Sequence, residues 1–181
     1  MKEYILEIKK LITENHCEKV ISYFNRDLGS ARIVGGVDKS IRNCDGSSVL
    51  HPQSFGEKIV SNFVKEKIFN CVDVYKKKYP YLNVDKISSC ELLRYDHNEY
   101  KAGYKFHTDF GDTVSSRHLS ISICLNNDFQ GGEFVFDLPQ NKIQYPQNVG
   151  DAIIFPSNFM FPHQVNQITE GTRYALIAWV I

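Results

Sequence analysis

His107 and Asp109 stand two residues apart in the segment YKFHTDFGD, residues 104–112, among aromatic side chains and glycines. On a β-strand, residues i and i+2 point to the same face, so both side chains would project in one direction, about 7 Å apart. A histidine and a carboxylate aimed at one point can hold a metal, relay a proton or simply form a hydrogen bond. The pair alone is a weak signal, because the chain has six histidines and 21 acidic residues.

His163, in the segment FMFPHQV, is a candidate third ligand. It follows the apolar run DAIIFP, so we expect it to begin another strand. Two histidines and one carboxylate form the facial triad of non-haem Fe(II) oxygenases, which leaves coordination positions open. Zinc is the competing metal, although it usually prefers a closed tetrahedral site or another grouping of ligands. For His163 alone, a buried histidine bonded to the backbone is the alternative.

Arg173 follows His163 after the turn formed by residues 169–171. The flanking runs predict a hairpin, which would return Arg173 to the strand beside His163. Along TRYALIAWV, Arg173 shares its strand face with an alanine, an isoleucine and a tryptophan, so its guanidinium points to an apolar place. A charge there is costly unless it is paired, and no acid of the chain is an obvious partner. A dicarboxylate ligand would supply one, because guanidinium binds carboxylate through two parallel hydrogen bonds.

The elements before Pro80 are predicted to be helical. The first segment, MKEYILEIKKLI, breaks its apolar residues with charges and predicts an amphipathic helix, not a signal peptide. A second helix would begin near Asn15, and a third would run from about Phe55 to Lys78. Between the last two, residues 29–52 are polar and glycine-rich, which predicts a long loop that closes over the site.

The elements after Pro80 are predicted to be short strands separated by turns rich in Gly, Asn, Asp and Pro. The candidate strands are ISSCELLRY (87–95), HLSISICLN (118–126), GEFVFD (132–137), DAIIFP (151–156) and TRYALIAWVI (172–181). Helices followed by a run of short strands indicate an α+β fold in which the strands curl into a barrel or sandwich. We predict a single domain over residues 1–181, with helical support over about 1–80 and a strand core over about 85–181.

Composition excludes some classes of partner. The formal net charge is +0, with acids and bases interspersed, which argues against a nucleic-acid partner held by bulk electrostatics. The five cysteines are scattered and include no close pair, so we expect a reducing compartment and a cytoplasmic protein. No run of apolar residues approaches transmembrane length, so we expect no membrane partner.

The stretch from Glu91 to Ile181 resembles the catalytic core of prolyl 4-hydroxylase-like Fe(II)/2-oxoglutarate dioxygenases. The similar pieces, in order, are LLRY (92–95), GYKFHTD (103–109), RHLSISICLNNDFQGGEF (117–134), GDAIIFP (150–156), PHQV (162–165) and GTRYALIAW (171–179). Each piece is short, but their order and spacing together are specific. The resemblance implies a double-stranded β-helix, which is a jelly-roll barrel, braced by amino-terminal helices.

The resemblance also implies roles for individual residues. His107, Asp109 and His163 resemble the iron ligands, and Arg173 resembles the residue that pairs with the distal carboxylate of 2-oxoglutarate. Other pocket positions are Tyr95, similar to a tyrosine that hydrogen-bonds the cosubstrate, and Tyr104, similar to one near the iron. Cys124 stands where relatives often carry a further tyrosine on the cosubstrate pocket wall, and a thiol is only a weak donor.

The implied activity is hydroxylation of an unactivated C–H bond with Fe(II), 2-oxoglutarate and O2, supported by ascorbate. A prolyl residue in a peptide or protein is the first expected substrate, and a free amino acid or other small metabolite is the alternative. A non-catalytic jelly-roll binding module with structural histidines is the rival from another class. A nucleic-acid demethylase is disfavoured, because that branch has a second arginine shortly after the position of Arg173, where this chain has YALIAW.

Overall fold

Two helices and a pair of facing β-sheets make up the fold, seen in a computed structural model that describes residues 1–26, 28–33, 36–111 and 114–181. Helix α1 spans Glu14–Phe24 and helix α2 spans Phe55–Lys78, the bounds expected for the third predicted helix. Helix α2 begins where it does because the Ser54 hydroxyl accepts a hydrogen bond from the Glu57 backbone amide. The prediction of an α+β fold is confirmed.

The larger sheet has eight strands within the described ranges. In spatial order they are β1 (Leu6–Ile8), β11 (Ala152–Pro156), β7 (Leu119–Cys124), β13 (Ile168–Val180), β5 (Ile87–Asp96), β4 (Asp45–Ser48) and β2 (Gly29–Ser30), and β8 (Phe129–Gly131) pairs with β13 off this path. Each named pair of neighbours is antiparallel.

The smaller sheet has five strands in the part of the chain that is described. Their order is β10 (Lys142–Tyr145), β9 (Phe134–Asp137), β12 (His163–Val165), β6 (Gly103–His107) and β3 (Arg42–Asn43). Its aromatic inner residues, among them Phe134 and Phe136, pack with Tyr95, Phe155 and Trp179 of the larger sheet. This barrel interior is therefore closed from both sides and can keep water away from polar groups placed inside it.

The helices cover the outer face of the larger sheet. Val20 of α1 and Ile68 of α2 belong to one buried cluster with Leu119, Ile121 and Leu176 of strands β7 and β13. Residues on alternate positions of the same strands face the barrel interior. No helix among the described residues is both long and apolar enough to cross a membrane.

The prediction of an amino-terminal amphipathic helix is wrong. Lys2–Tyr4 form one 3-10 turn, and Leu6–Ile8 form β1, which pairs with β11. Ile5 and Ile12 recur at a spacing compatible with a helix, but they are buried in different clusters, one inside the barrel and one beneath the helices. Pairing with a distant strand outweighs the weak local helical preference here.

The segment predicted as a long loop, residues 29–52, contains three short strands in its described part. Residues 29–30, 42–43 and 45–48 form β2, β3 and β4, which extend both sheets. Residues 34 and 35 of this segment lie outside the described residues. The polar composition of the segment does not predict strands. Strands β3 and β4 form by pairing with β6 and β5, which are far away in sequence. Closure of the remaining loop over the site stays a prediction.

Candidate active site

The two histidines meet because their strands pair. His107 is the last residue of β6 and His163 is the first residue of β12, and the antiparallel register sets them directly opposite each other. Asp109 lies just past the end of β6, so only the histidine of the H-x-D pair is on the strand. One ligand-type atom from each of His107, Asp109 and His163 can be chosen so that all three lie within 4.8 Å of one another.

Backbone carbonyls orient both imidazole rings. The Nδ1 of His107 donates to the Lys105 carbonyl at 2.8 Å, and the Nδ1 of His163 donates to the Phe161 carbonyl at 3.0 Å. A carbonyl oxygen can only accept, so Nδ1 carries the proton and Nε2 is left with a free lone pair. The Nε2 atoms lie 3.7 Å and 3.6 Å from the Asp109 carboxylate oxygens. Both rings therefore present a ligand atom toward the same carboxylate.

The Asp109 carboxylate is buried and held by a serine. Its Oδ2 accepts a hydrogen bond of 2.6 Å from the Ser120 hydroxyl, and Ser120 is hydrogen-bonded in turn to Ser157 at 2.9 Å. Burial would raise the pKa of Asp109, but the electrostatic attraction of His163 and His107 and the hydrogen bond from Ser120 outweigh it and lower the pKa below its usual range. Asp109 is thus kept ionised.

His163 is kept neutral. It is 2% exposed, and this burial lowers its pKa to about 4, with His107 acting in the same direction. Aromatic rings surround it, with Phe134 stacked at 5.1 Å and Phe155 edge-on at 4.8 Å between ring centroids. A neutral imidazole and an ionised carboxylate are the forms that bind metals. Two imidazole nitrogens and one carboxylate oxygen at one point fit Fe(II), with positions left open for other ligands.

Arg173 faces the same cavity from the opposite sheet. Its side chain is 2% exposed, and the cavity is lined by Arg173 together with His107, Asp109 and His163. The predicted hairpin is wrong: β13 runs unbroken through residues 169–171 in the larger sheet, whereas His163 belongs to the smaller one. The predicted strand face is confirmed, because Ala175, Ile177 and Trp179 line the cavity with Arg173.

The Arg173 guanidinium has a neutral partner. Within the described residues no carboxylate lies within 4.0 Å of it, and its Nη2 donates to the side-chain oxygen of Gln147 at 3.1 Å. Gly132 makes room for its stem, because a Cβ on Gly132 would lie 2.9 Å from the Arg173 Cδ. Gly132 also has φ of +68°, a conformation that favours glycine. A buried cation without an acidic mate fits an anionic ligand.

Tyr95 and Tyr104 both line this cavity. Tyr95 is the direct cross-strand partner of Arg173, and the Arg173 guanidinium carbon lies 5.5 Å from its ring centroid. Tyr104 stacks on His107, with ring centroids 3.4 Å apart. Burial raises the pKa of Tyr104 to about 12, so its hydroxyl remains a donor.

Cys124 lies beside the cavity instead of in its described lining. It is fully buried, and its thiol donates to the Asn126 carbonyl at 3.2 Å. It lines a neighbouring space of about 150 Å³ together with Gln147 and Arg173. Cys124 therefore lines the same space as Arg173, but its thiol donates its hydrogen bond to the Asn126 carbonyl.

Arg42 is a residue of the site that the sequence did not reveal. It is 5% exposed on β3 and lines the cavity, with its guanidinium carbon 5.0 Å from the Tyr104 ring centroid. Its Nη1 donates to the Arg32 carbonyl at 2.8 Å, and its Nη2 reaches Glu91 at 3.4 Å. No local pattern could have found it, because the segment around it was interpreted as a loop.

Solved structures resemble this fold over nearly its whole length. A prolyl hydroxylase from Trichoplax adhaerens, in complex with a peptide fragment of hypoxia inducible factor, superposes with a TM-score of 0.78, 16% identity, and coverage of 98% of this chain and 83% of that chain. A Pseudomonas putida prolyl-4-hydroxylase gives a TM-score of 0.76, 16% identity, and coverage of 98% and 91%. These likenesses concern the fold, and they confirm the predicted jelly-roll core.

Curated relatives match about half of the chain. A PKHD-type hydroxylase from Crocosphaera subtropica is 30% identical over 94 residues, which is 49% of this chain and 41% of that protein. One from Colwellia psychrerythraea is 34% identical over 84 residues, or 43% and 37%. The matched segments thus span less than half the length of these relatives. A protein-family model described as the 2OG-Fe(II) oxygenase superfamily matches residues 90–181. The chain therefore belongs to the 2OG-Fe(II) oxygenase superfamily.

Proposed function

We propose that the protein is an Fe(II)- and 2-oxoglutarate-dependent oxygenase that hydroxylates an unactivated C–H bond. The observation that supports the proposal is that side chains from both sheets line one cavity. One sheet contributes two imidazoles next to an ionised carboxylate, and the other contributes a buried arginine without an acidic mate among the described residues. A metal site and a carboxylate site within one closed space fit a cosubstrate that needs both.

His107, Asp109 and His163 would hold the iron. When bound, Fe(II) supplies the redox chemistry that couples decarboxylation of 2-oxoglutarate to succinate and CO2 with insertion of an oxygen atom from O2 into a C–H bond. The chain keeps its ligands ready: backbone carbonyls fix the two imidazole tautomers, and Ser120 holds the carboxylate. The protein therefore supplies orientation and electrostatics while the metal supplies the reactivity.

Arg173 would bind the distal carboxylate of 2-oxoglutarate, with Tyr95 beside it. The cavity walls around Arg173 are apolar, so the ion pair would form away from water and gain strength from the low local dielectric. Tyr104 would bound the pocket next to the metal through its stack on His107. Cys124 would contribute to the wall behind Arg173 without donating to the cosubstrate, because its thiol is engaged by a backbone carbonyl.

A prolyl residue in a peptide or protein is the substrate that we propose first. Support comes from two solved neighbours that are prolyl hydroxylases, one of them in complex with a peptide fragment. The relatives from Crocosphaera subtropica and Colwellia psychrerythraea are named PKHD-type hydroxylases, and this name states no substrate. A free amino acid or other small metabolite is the alternative substrate class, and a mass gain of one oxygen atom on either would identify it.

Succinate formation from 2-oxoglutarate, with Fe(II), O2 and ascorbate, tests the proposed reaction. We expect slow uncoupled turnover without substrate and faster turnover with prolyl peptides or free amino acids that are hydroxylated. Asp109→Ala serves as the inactive control, which should form no succinate. If the wild-type protein forms no succinate and binds no Fe(II), the chain is a jelly-roll binding module instead.

We also propose that residues 1–181 act as one domain in the cytoplasm, with ascorbate keeping the iron reduced. The single-domain proposal is supported by β1, which pairs with β11 of the barrel, and by helices that share a buried cluster with the larger sheet. The location is supported by the five cysteines, all of which are buried and free of disulfides. Limited proteolysis that released a stable fragment of residues 85–181 would contradict the single domain.

A further inference from the structure

Gln147 is the one residue that the described structure pairs with Arg173 by a side-chain hydrogen bond. It lies in the connection between β10 and β11, and its side-chain oxygen accepts from Arg173 Nη2 at 3.1 Å. Its side-chain nitrogen donates to the backbone carbonyl of Ser122 on β7 at 3.1 Å. The amide is therefore held at both ends, by a strand backbone on one side and by the guanidinium on the other.

The position of Gln147 relative to the cavity is informative. Arg173 lines two spaces, the metal-side cavity and the neighbouring space of about 150 Å³, whereas Gln147 belongs to the described lining of the second alone. The glutamine thus contacts the guanidinium without belonging to the described lining of the metal-side cavity. A guanidinium has five N–H donors, so one bond to Gln147 leaves the others available to a carboxylate.

Cys124 explains why such a partner is needed. This small residue lines the same space as Gln147, and its thiol is directed to the Asn126 carbonyl. The wall behind the arginine therefore offers no hydroxyl from position 124. A long, four-bond arginine side chain loses rotamer freedom when it binds a ligand, and a fixed neighbour reduces that loss.

We propose that Gln147 is a positioning residue for the cosubstrate: it fixes the Arg173 guanidinium in the orientation that receives the distal carboxylate of 2-oxoglutarate. The inference rests on the proposed function, because it takes Arg173 as the carboxylate-binding residue. Its neutral amide orients the cation without competing for its charge. A carboxylate at position 147 would instead pair with Arg173 and oppose cosubstrate binding.

Two variants separate these effects. Gln147→Leu keeps the size and removes the hydrogen bond, and we expect 2-oxoglutarate to bind about 3- to 10-fold more weakly, the range for a single typical hydrogen bond. Gln147→Glu should weaken binding by roughly 30-fold or more, because the introduced charge occupies Arg173. Mn(II) affinity should be unchanged in both variants. Gln144→Glu is the matched control, since Gln144 is exposed on neighbouring β10.

The measurement is equilibrium binding of 2-oxoglutarate to the Mn(II)-loaded protein without O2. Trp179, the one tryptophan of the chain, lines the cavity and provides a fluorescence signal, with calorimetry as a second readout. When Arg173 is already replaced by Lys, Gln147→Leu should change the logarithm of the affinity for 2-oxoglutarate by less than half as much as it does in the wild-type protein. Kinetically, the KM for 2-oxoglutarate should rise while kcat changes little.

The outcomes distinguish this inference from the proposed function. If Arg173→Ala weakens 2-oxoglutarate binding but both Gln147 variants bind like the wild type, Gln147 does not position the arginine. Tighter binding in Gln147→Leu would also overturn the inference, because it would make the glutamine a competitor that must be displaced. If Arg173→Ala itself leaves binding unchanged, the assignment of the cosubstrate site fails instead.

Discussion

The two faces of strands β7 and β13 differ sharply in what they carry. On the face toward the helices, the residues are aliphatic and buried: Leu119, Ile121, Ile123, Leu176, Ala178 and Val180. On the face toward the barrel interior, the same strands place Ser120, Ser122, Cys124, Arg173, Ala175, Ile177 and Trp179. Both faces are buried, so burial alone does not separate a core position from a site position.

Because successive residues of a strand point to opposite faces, neighbouring positions of one strand can have different roles. The helix-facing positions contribute hydrophobic burial, and the barrel-facing positions contribute hydrogen bonds and charge at the cavity. Adjacent residues such as Leu176 and Ile177 should therefore respond differently to substitution.

The largest effect is expected for Asp109→Ala. Loss of the carboxylate removes a proposed metal ligand, and we expect Fe(II) or Mn(II) affinity to fall by more than about 100-fold, because even outer hydrogen-bond partners of ligands contribute about 10–100-fold. Calorimetry without O2 measures the affinity, and thermal denaturation checks that the fold remains. Asp137→Ala, an exposed acid on β9, is the matched control. Unchanged metal binding in Asp109→Ala would remove this residue from the proposed ligand set.

The next largest effect is expected for Arg173→Ala. Truncating one partner of a desolvated ion pair typically costs about 2–5 kcal/mol, which corresponds to a rise of roughly 30-fold or more in the KM for 2-oxoglutarate. Metal affinity should not change, because Arg173 lies on the opposite sheet from the ligands.

Arg173→Lys should recover part of this loss, since it restores the charge but not the two-pronged geometry. Arg94→Ala is the control, because Arg94 is paired with Asp45 and is part-buried outside the cavity. An equal rise in KM for Arg94→Ala would show that the effect reflects general destabilisation of β5 and β13.

Leu176→Ala tests the helix-facing side of the division. Leu176 is 1% exposed, and its truncation should lower the free energy of unfolding by about 2–5 kcal/mol. At temperatures where the variant remains folded, its affinity for metal and for 2-oxoglutarate should equal that of the wild type. Urea denaturation followed by ligand titration makes both measurements. If the fully folded variant bound metal or 2-oxoglutarate much more weakly than the wild type, the two faces would not have separate roles.

The smallest effect is expected for Ser120→Ala, which tests a barrel-facing position of β7. The Ser120 hydroxyl holds Asp109, so its loss should weaken metal binding by about 10-fold, the lower end for an outer partner of a ligand. Binding of 2-oxoglutarate at saturating metal should stay near the wild-type value. Ser122→Ala is the control, because Ser122 shares the face but uses its backbone carbonyl in the bond to Gln147. Equal metal affinities in both variants would contradict this role.

Much of the fold could be predicted because local patterns were strong. Helix α2 matched its predicted bounds, since Ser54 is a good cap and Pro80 stops the helix. The alternating faces of β7 and β13 followed directly from their residue order. The triad and Arg173 were found from residue types and order, and the structure brings these four side chains to one cavity.

The errors arose where distant pairing decided the structure. Gly171 was interpreted as part of a hairpin turn, but it sits within β13 at φ of +72°, with the Asp128 carbonyl so close that a Cβ would meet it. This glycine therefore marks a close backbone approach inside a strand, and β8 pairs there with an irregular register. Arg42 was missed for the same reason, because β3 forms against β6, which is some 60 residues later in the chain.

The short strand β1 has a consequence for association between molecules. It covers the free edge of β11, whose run Ala152–Phe155 is apolar and almost fully buried. A long apolar edge invites pairing with other chains, whereas a three-residue edge followed by charged Lys9 and Lys10 discourages it. The Lys10 amide and the Lys9 ammonium both bond to Asp151, which fastens β1 in place. The amino-terminal segment is therefore expected to limit intermolecular extension of the sheet, and loosening it should make the protein prone to self-association before it affects the proposed iron site.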